Sequence, residues 1–283
     1  MNPERLGWKA EAVCIPLERA EDGALALPVA RSLARLAGAP VHFLHVAPEE
    51  VPLEEVRRRL GLTAEMLSGA MLEVAVGDPG EEILRAAEAR EGTLIVAALR
   101  VRSEPGPVVL RLLGASSVPV VLVPAGRSWT GWALRRLLLP MDGAPASAAA
   151  LCPVIELAAA ARAAVEFLHV SGGRASGRRE AGALTAPRYV DQPQHEWPQW
   201  ASEFMERLHC LCRIPEGLTV RFHLATGEAG EAILRRAVEE GADLIGLSWR
   251  GTPAAGRAET FREVVRRAPC PLAVLRCARL GDR

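Results

Sequence analysis

The chain lacks net charge: 34 Lys and Arg are balanced by 34 Asp and Glu, and no block of five like charges occurs. Non-specific nucleic-acid affinity needs clustered cations that neutralise phosphates and release counterions. No nucleic-acid partner is therefore expected. Aromatic residues are scarce, at 4% with a single Tyr. The patterns of common catalytic centres are missing too: the sequence holds no G-x-S-x-G, no H-E-x-x-H and no G-x4-G-K-[S/T]. With no residue set to carry a reaction, the expectation is a protein that is not an enzyme.

An apolar leader is also absent. Met1 to Lys9 contain no hydrophobic run, which points to a cytoplasmic location. One Ala-rich stretch, Gly143 to Ala164, is interrupted by Pro145, Pro153, Glu156 and Arg162, so it reads as packed helix and no membrane contact is expected. The six cysteines (Cys14, Cys152, Cys210, Cys212, Cys270 and Cys277) are scattered, and only Cys210-Leu211-Cys212 is close-spaced. Zinc sites use C-x2-C or H-x3-H spacings, which this arrangement lacks. No metal site is expected, and the cysteines read as reduced, buried small hydrophobes.

What the chain does have is an internal repeat. Phe43-Leu44-His45-Val46 recurs as Phe167-Leu168-His169-Val170, an offset of 124 that also relates Pro16-Leu17-Glu18 to Pro140-Met141-Asp142. Gly77-Asp78-Pro79-Gly80-Glu81-Glu82-Ile83-Leu84-Arg85 recurs as Gly227-Glu228-Ala229-Gly230-Glu231-Ala232-Ile233-Leu234-Arg235 at an offset of 150. Leu94-Ile95 and Leu244-Ile245 keep that offset, and Pro119 against Pro271 gives 152. Two constant offsets separated by a jump of 26 describe two homologous units with an insertion between Val170 and Gly227. The Gly/Ser turn near Ala125-Gly126-Arg127-Ser128 places the boundary between 1–127 and 128–283.

In each unit, short apolar runs alternate with helical patterns, the signature of a parallel sheet covered on both faces. Unit one supplies Ala12–Leu17, Val41–Val46, Met71–Val76, Thr93–Leu99 and Val118–Val123. Unit two supplies Arg136–Met141, Val165–Val170, Val220–Ala225, Asp243–Trp249 and Cys270–Leu275. The closing runs Val118–Val123 and Cys270–Leu275 would be exposed apolar edges in separate units, so they are expected to pair with each other about a pseudo-two-fold.

An opening strand ending in Pro-x-Asp-Gly, a strand ending in Leu-His-Val, a Gly-x-x-x-Glu-x-Ile-Leu helix start, an Asp-Leu-Ile strand and a closing Ala-Pro-Cys-Pro-Leu strand together resemble the universal stress protein family. The resemblance runs through nearly the whole chain, once per unit. It implies two tandem five-stranded parallel open α/β domains (adenine-nucleotide α-hydrolase-like), strand order 3-2-1-4-5, forming a pseudo-dimer within one chain. Whether a further homodimer forms stays open.

Nucleotide-binding members of this family follow the fourth strand with G-x-x-G-x9-G-[S/T], where glycines let backbone N–H groups approach phosphates at a helix start. The matching unit-two positions read Ser248, Trp249, Arg250 and Gly251, then a loop of six residues, Thr252 to Arg257, then Ala258-Glu259. Unit one has Ala98-Leu99-Arg100-Val101, four intervening residues and Gly106-Pro107. Both loops are broken. Glu259 would aim a carboxylate at phosphate, a repulsion of about 4 kcal/mol at about 4 Å and an effective dielectric near 20. Arg250 and Arg257 are the cations available to offset it. The family's acidic residue after the first strand matches Asp142, and Glu18 in unit one. Asp142-Gly143 is equally a strand-ending turn. The resemblance thus implies a vestigial nucleotide site at Asp142, Val170, Ser248, Gly251, Ala258 and Glu259.

His45 and His169 sit at equivalent strand ends and are read as hydrogen-bonded structural residues. Glu49-Glu50, Glu54-Glu55 and Glu81-Glu82 fall at helix starts, where negative charge complements the helix dipole. The insert, Ser171 to Gln199, opens with a small, basic Gly/Ser/Arg stretch and continues through Tyr189 and Trp197 in a Pro-rich segment, either a flap packed on the body or a partner surface. The expected function is a non-catalytic universal stress protein-like protein acting through protein partners in a stress response, without cofactor and with ATP binding lost or weak. The alternative is an ATP- or AMP-binding sensor that uses the second unit.

Overall fold

The computed structural model describes residues 10–90, 92–100, 105–171, 202–203, 205–206, 217–250 and 257–277. Its first half runs β1 (Val13–Leu17), α1 (Ala20–Ala37), β2 (Val41–Ala47), α2 (Leu53–Arg59), α3 (Ala64–Leu67), β3 (Ala70–Val76), α4 (Pro79–Glu88), β4 (Leu94–Leu99), α5 (Pro107–Ala115) and β5 (Val120–Pro124). The second half runs β6 (Arg136–Met141), α6 (Pro145–Ala150), α7 (Cys152–Ala160), β7 (Ala164–Ser171), β8 (Val220–Thr226), α8 (Ala229–Glu239), β9 (Leu244–Trp249), α9 (Arg257–Arg267) and β10 (Leu272–Arg276). Every apolar run identified in the sequence is a strand, within two residues at either end.

All ten strands form one sheet in the order β3-β2-β1-β4-β5-β10-β9-β6-β7-β8. Each half is a parallel 3-2-1-4-5 arrangement. The halves join where β5 pairs antiparallel with β10, Val121 opposite Ala273. The closing strands thus pair as expected from the sequence, and the reason is burial. Val120, Val121, Leu122 and Val123 are at most 1% exposed, as are Leu272 and Ala273, so neither strand meets water as an edge. The sheet's actual edges are β3 and β8, whose residues are all half-buried or exposed.

Local chemistry explains the element ends. Gly38 stops α1 at φ 68°, and Gly92 and Gly241 take φ 68° and 61° after α4 and α8, a left-handed backbone that glycine adopts without strain. Asp78 caps α4 by accepting the Glu81 N–H at 3.0 Å. The Ala-rich stretch folds as α6 and α7, with Val154, Ile155, Leu157 and Ala158 buried against the sheet. No helix among the described residues is long and apolar enough to cross a membrane. The core is continuous through both halves.

Cys14, Cys270 and Cys277 are free and buried, as the sequence suggested. Cys152 corrects the expectation of uniform reduction, because it is disulfide-bonded. After Ser171 the insert lies outside the described residues.

Candidate functional site

In each half, the first and fourth strands of the order pair only at their amino-terminal ends. β1 meets β4 at Val13 and Cys14, and β6 meets β9 at Leu137 and Leu138. The rest of each pair has no such bond, which opens a crevice at the carboxyl ends, where chain direction around the sheet reverses and open α/β folds bind ligands.

In the first half this crevice is a cavity of 460 Å³, a volume within the range of about 300–1,000 Å³ typical of small-molecule sites. Its apolar wall includes Leu44 and Val46 from β2, Leu99 from β4, Ile83 from α4, and Val109 and Leu112 from α5. The polar groups lie together. Arg100, just past β4, donates Nε to Asp22 Oδ1 at 3.0 Å, and Nη2 to Asp22 Oδ2 at 2.6 Å and to Glu18 Oε2 at 2.8 Å. The Asp22 hydrogen bond, opposed by burial and reinforced by both carboxylate charges, raises the Arg100 pKa above its ordinary value. This cation is committed to its own carboxylates.

His45 completes the polar lining. Its Nδ1 donates to the Leu17 carbonyl at 2.8 Å, and in the second half His169 Nδ1 donates to Met141 at 3.0 Å. A carbonyl oxygen only accepts, so Nδ1 carries the proton and Nε2 is the ring's remaining acceptor in the neutral form. The shared bond ties the first two strands together twice, in line with the structural role read from the repeat. Burial lowers the His169 pKa, and only partly do the Met141 hydrogen bond and the Asp142 charge oppose it.

The described residues among those singled out in the second half lie at the equivalent end of the sheet. Asp142 is exposed and closes its own turn, Oδ1 accepting the Ala144 N–H at 2.9 Å, with Gly143 at φ 76°. Val170 is half-buried near the end of β7, opposite Ala225. Ser248 is half-buried in β9 beside the Cys277 thiol, which burial holds above its ordinary pKa. Ala258 is buried and Glu259 exposed in the first turn of α9. Gly251 lies outside the described residues.

The two halves differ in how they fill this space. At the repeat offsets, Leu99 and Val109 correspond to Trp249 and Phe261, and these two rings stack with centroids 4.3 Å apart. Two aromatics thus stand where the first half leaves small aliphatics around open volume. Sequence reasoning concentrated on the second half because Gly251 and Asp142 survive there. It missed Asp22 and the clamp. Their signal was present as acids four residues apart, Glu18 and Asp22, with an Arg following β4.

The family model described as "Universal stress protein family" matches residues 133–276, just over half of the chain. No curated protein matches. A solved universal stress protein from Archaeoglobus fulgidus DSM 4304 is similar at 20% identity, covering 97% of this chain and 99% of that one, with a TM-score of 0.67. A functionally unknown protein from Pseudomonas aeruginosa PAO1 is similar at 14% identity and a TM-score of 0.63, covering 95% and 93% of the two chains. A putative universal stress protein from Pseudomonas aeruginosa UCBPP-PA14 is similar at 14% identity and a TM-score of 0.60, covering 94% and 93%.

Proposed function

Because the chain belongs to the universal stress protein family, we propose that it is a non-catalytic member acting in stress response through protein contacts, with ATP binding lost or weak. The clamp of Arg100 on Asp22 and Glu18 carries this reading. Among the described residues lining the first-half cavity, the Arg100 guanidinium is paired with two carboxylates, so these three groups sum to a charge of −1 where a triphosphate would need positive charge or free N–H donors. The first turn of α5 adds to this, since Pro107 has no N–H to offer and Val108 and Val109 carry no hydroxyl. In the second half Glu259 places a carboxylate at the opening of α9, the helix end that binds anions elsewhere.

A competing reading, ATP or AMP binding by the second half at Asp142, Val170, Ser248, Gly251, Ala258 and Glu259, draws support from Asp142 and Ser248 lying at the carboxyl ends of β6 and β9. Titration calorimetry of the full chain with ATP and AMP, alongside mass spectrometry of the purified protein for carried nucleotide, separates the two. The proposal expects no co-purified nucleotide and no saturation below millimolar concentration. Micromolar affinity overturns it.

A further inference from the structure

We propose that the first-half cavity is a binding site for a small uncharged molecule, largely apolar and carrying one hydrogen-bond donor, and that the Arg100–Asp22–Glu18 clamp makes the site reject anions. The inference deepens the reading above by naming what the site takes in place of nucleotide.

Three independent observations converge on that chemistry. The cavity holds 460 Å³ and its walls are mostly aliphatic, so the main reward for entry is transfer of apolar surface out of water. His45 lines it with Nδ1 held by the Leu17 carbonyl, so a ligand donor has one ring nitrogen, Nε2, to meet. At the mouth, Asp22 retains 12% side-chain exposure and Glu18 73%, and together they outnumber the single guanidinium between them. A ligand anion would meet two carboxylates whose cation is already engaged in three hydrogen bonds.

The second half supplies an internal control. Phe261 and Trp249, the counterparts of Val109 and Leu99, stack on each other. Placing the second half's side chain into the first half therefore fills the cavity with a residue that the same fold already accommodates. The variant is Val109→Phe. Ala98→Leu, at another half-buried lining position, fills it independently.

The probes are 2-naphthol, uncharged near neutral pH, and 2-naphthoate, an anion on the same naphthalene ring. Calorimetric titration of the full chain is expected to show saturable 2-naphthol binding with a stoichiometry of one, and 2-naphthoate weaker by about tenfold or more at low ionic strength. Val109→Phe or Ala98→Leu should weaken 2-naphthol by about tenfold, the loss of apolar contact volume that these walls provide. Glu18→Gln with Asp22→Asn changes the summed charge of the three clamp groups from −1 to +1. It should strengthen 2-naphthoate by about tenfold and leave 2-naphthol within about threefold.

Absence of saturable 2-naphthol binding by the folded chain overturns the proposal. So do equal affinities for the two probes, and so does unchanged 2-naphthol affinity in every folded filling variant. Competition with ATP keeps the two readings apart. ATP that binds at micromolar concentration and displaces 2-naphthol overturns both, whereas ATP that binds without displacing it overturns the functional reading and leaves this one standing.

Discussion

Asp22 exposes only 9% of its surface, and the Arg100 guanidinium donates to both of its carboxylate oxygens. Arg100→Met should destabilise the fold by about 1–3 kcal/mol, chiefly by leaving a buried carboxylate without its donor. Asp22→Asn combined with Arg100→Met should cost less than the two single changes added together, a coupling that urea titration of all four proteins would measure. Equal additivity would mean that water replaces the guanidinium. His169 gives a pH signature of the same sign as a salt-bridged carboxylate, but in a higher pH window. Burial lowers its folded pKa below the ordinary 6.5, so between those two values the unfolded chain binds more protons than the folded one. Stability is therefore full above pH 6.5 and falls as pH drops through that window. Glu73 acts lower down: burial pushes its pKa up, but the His42 hydrogen bond and the Arg90 charge and hydrogen bond together leave it below 4.5. Its contribution is lost as pH falls through that depressed value. In His169→Asn, which keeps a donor for Met141 and never charges, the loss just below pH 6.5 should vanish while the more acidic loss remains. Denaturant midpoints across pH 8 to 3 would show a single unchanged profile if His169 had no part in it. At this scale the sequence was only partly legible. The His45 and His169 bonds followed from the repeat, but the Arg100 clamp joins residues 78 and 82 positions apart, and nothing local announces such a pair.

At the scale of elements, the eight interior strands were readable because strands buried on both faces are continuous apolar runs, whereas the edge strands β3 and β8 have no fully buried residue and made weaker runs. β4, β5, β9 and β10 show it most clearly, each with its first four residues buried. The helix replacing α1 in the second half was less legible. α1 runs unbroken for 18 residues through Pro28, while its counterpart divides at Leu151 into α6 and α7, with Pro153 near the start of α7. Both segments contain an internal proline, yet only the second one divides. Two glycines show how context sets the cost of one methyl group. A Cβ at Gly246 in β9 would lie 2.5 Å from Leu139 Cδ2, and Leu139 is wholly buried in β6. At Gly80 in α4 the same atom would lie 2.5 Å from Arg111 Cδ, part of a side chain 45% exposed that can shift by loosening its exposed ion pairs with Asp78 and Glu81, which are worth little. Gly246→Ala should therefore cost about 1–3 kcal/mol through overpacking. Gly80→Ala should stay within about 0.5 kcal/mol, helped by the better helix propensity of alanine. Thermal melts of the two variants would contradict this if they shifted equally.

For the molecule as a whole, the repeat led from sequence to architecture, because two offsets imply two copies and two apolar closing strands need each other. The asymmetry between the copies was not legible in the same way. It arises from which side chains meet across the crevice, Leu99 and Val109 in one half and stacked Trp249 and Phe261 in the other. The same joining of halves has a thermodynamic consequence. Chains of this length with two structural units commonly unfold in more than one step. Here, however, β5 and β10 lie at the centre of a single ten-stranded sheet, and the apolar core passes without a break from one half to the other. Polar ties cross the same seam: Arg127 donates to the Pro269 carbonyl at 3.2 Å and Arg276 to the Ala115 carbonyl at 3.1 Å. Unfolding one half would strip β5 or β10 of its neighbour and expose a strand that is now fully buried, so neither half should survive the loss of the other. Scanning calorimetry should accordingly give one transition with a calorimetric to van't Hoff enthalpy ratio of about 1. Ala273→Asp, which buries an unpaired charge opposite Val121, should lower that single transition as a unit by more than about 4 kcal/mol in stability, or prevent folding altogether. Two resolved transitions in the parent protein, or a variant in which only the second half melts early, would mean that the β5–β10 junction holds together two independently stable halves.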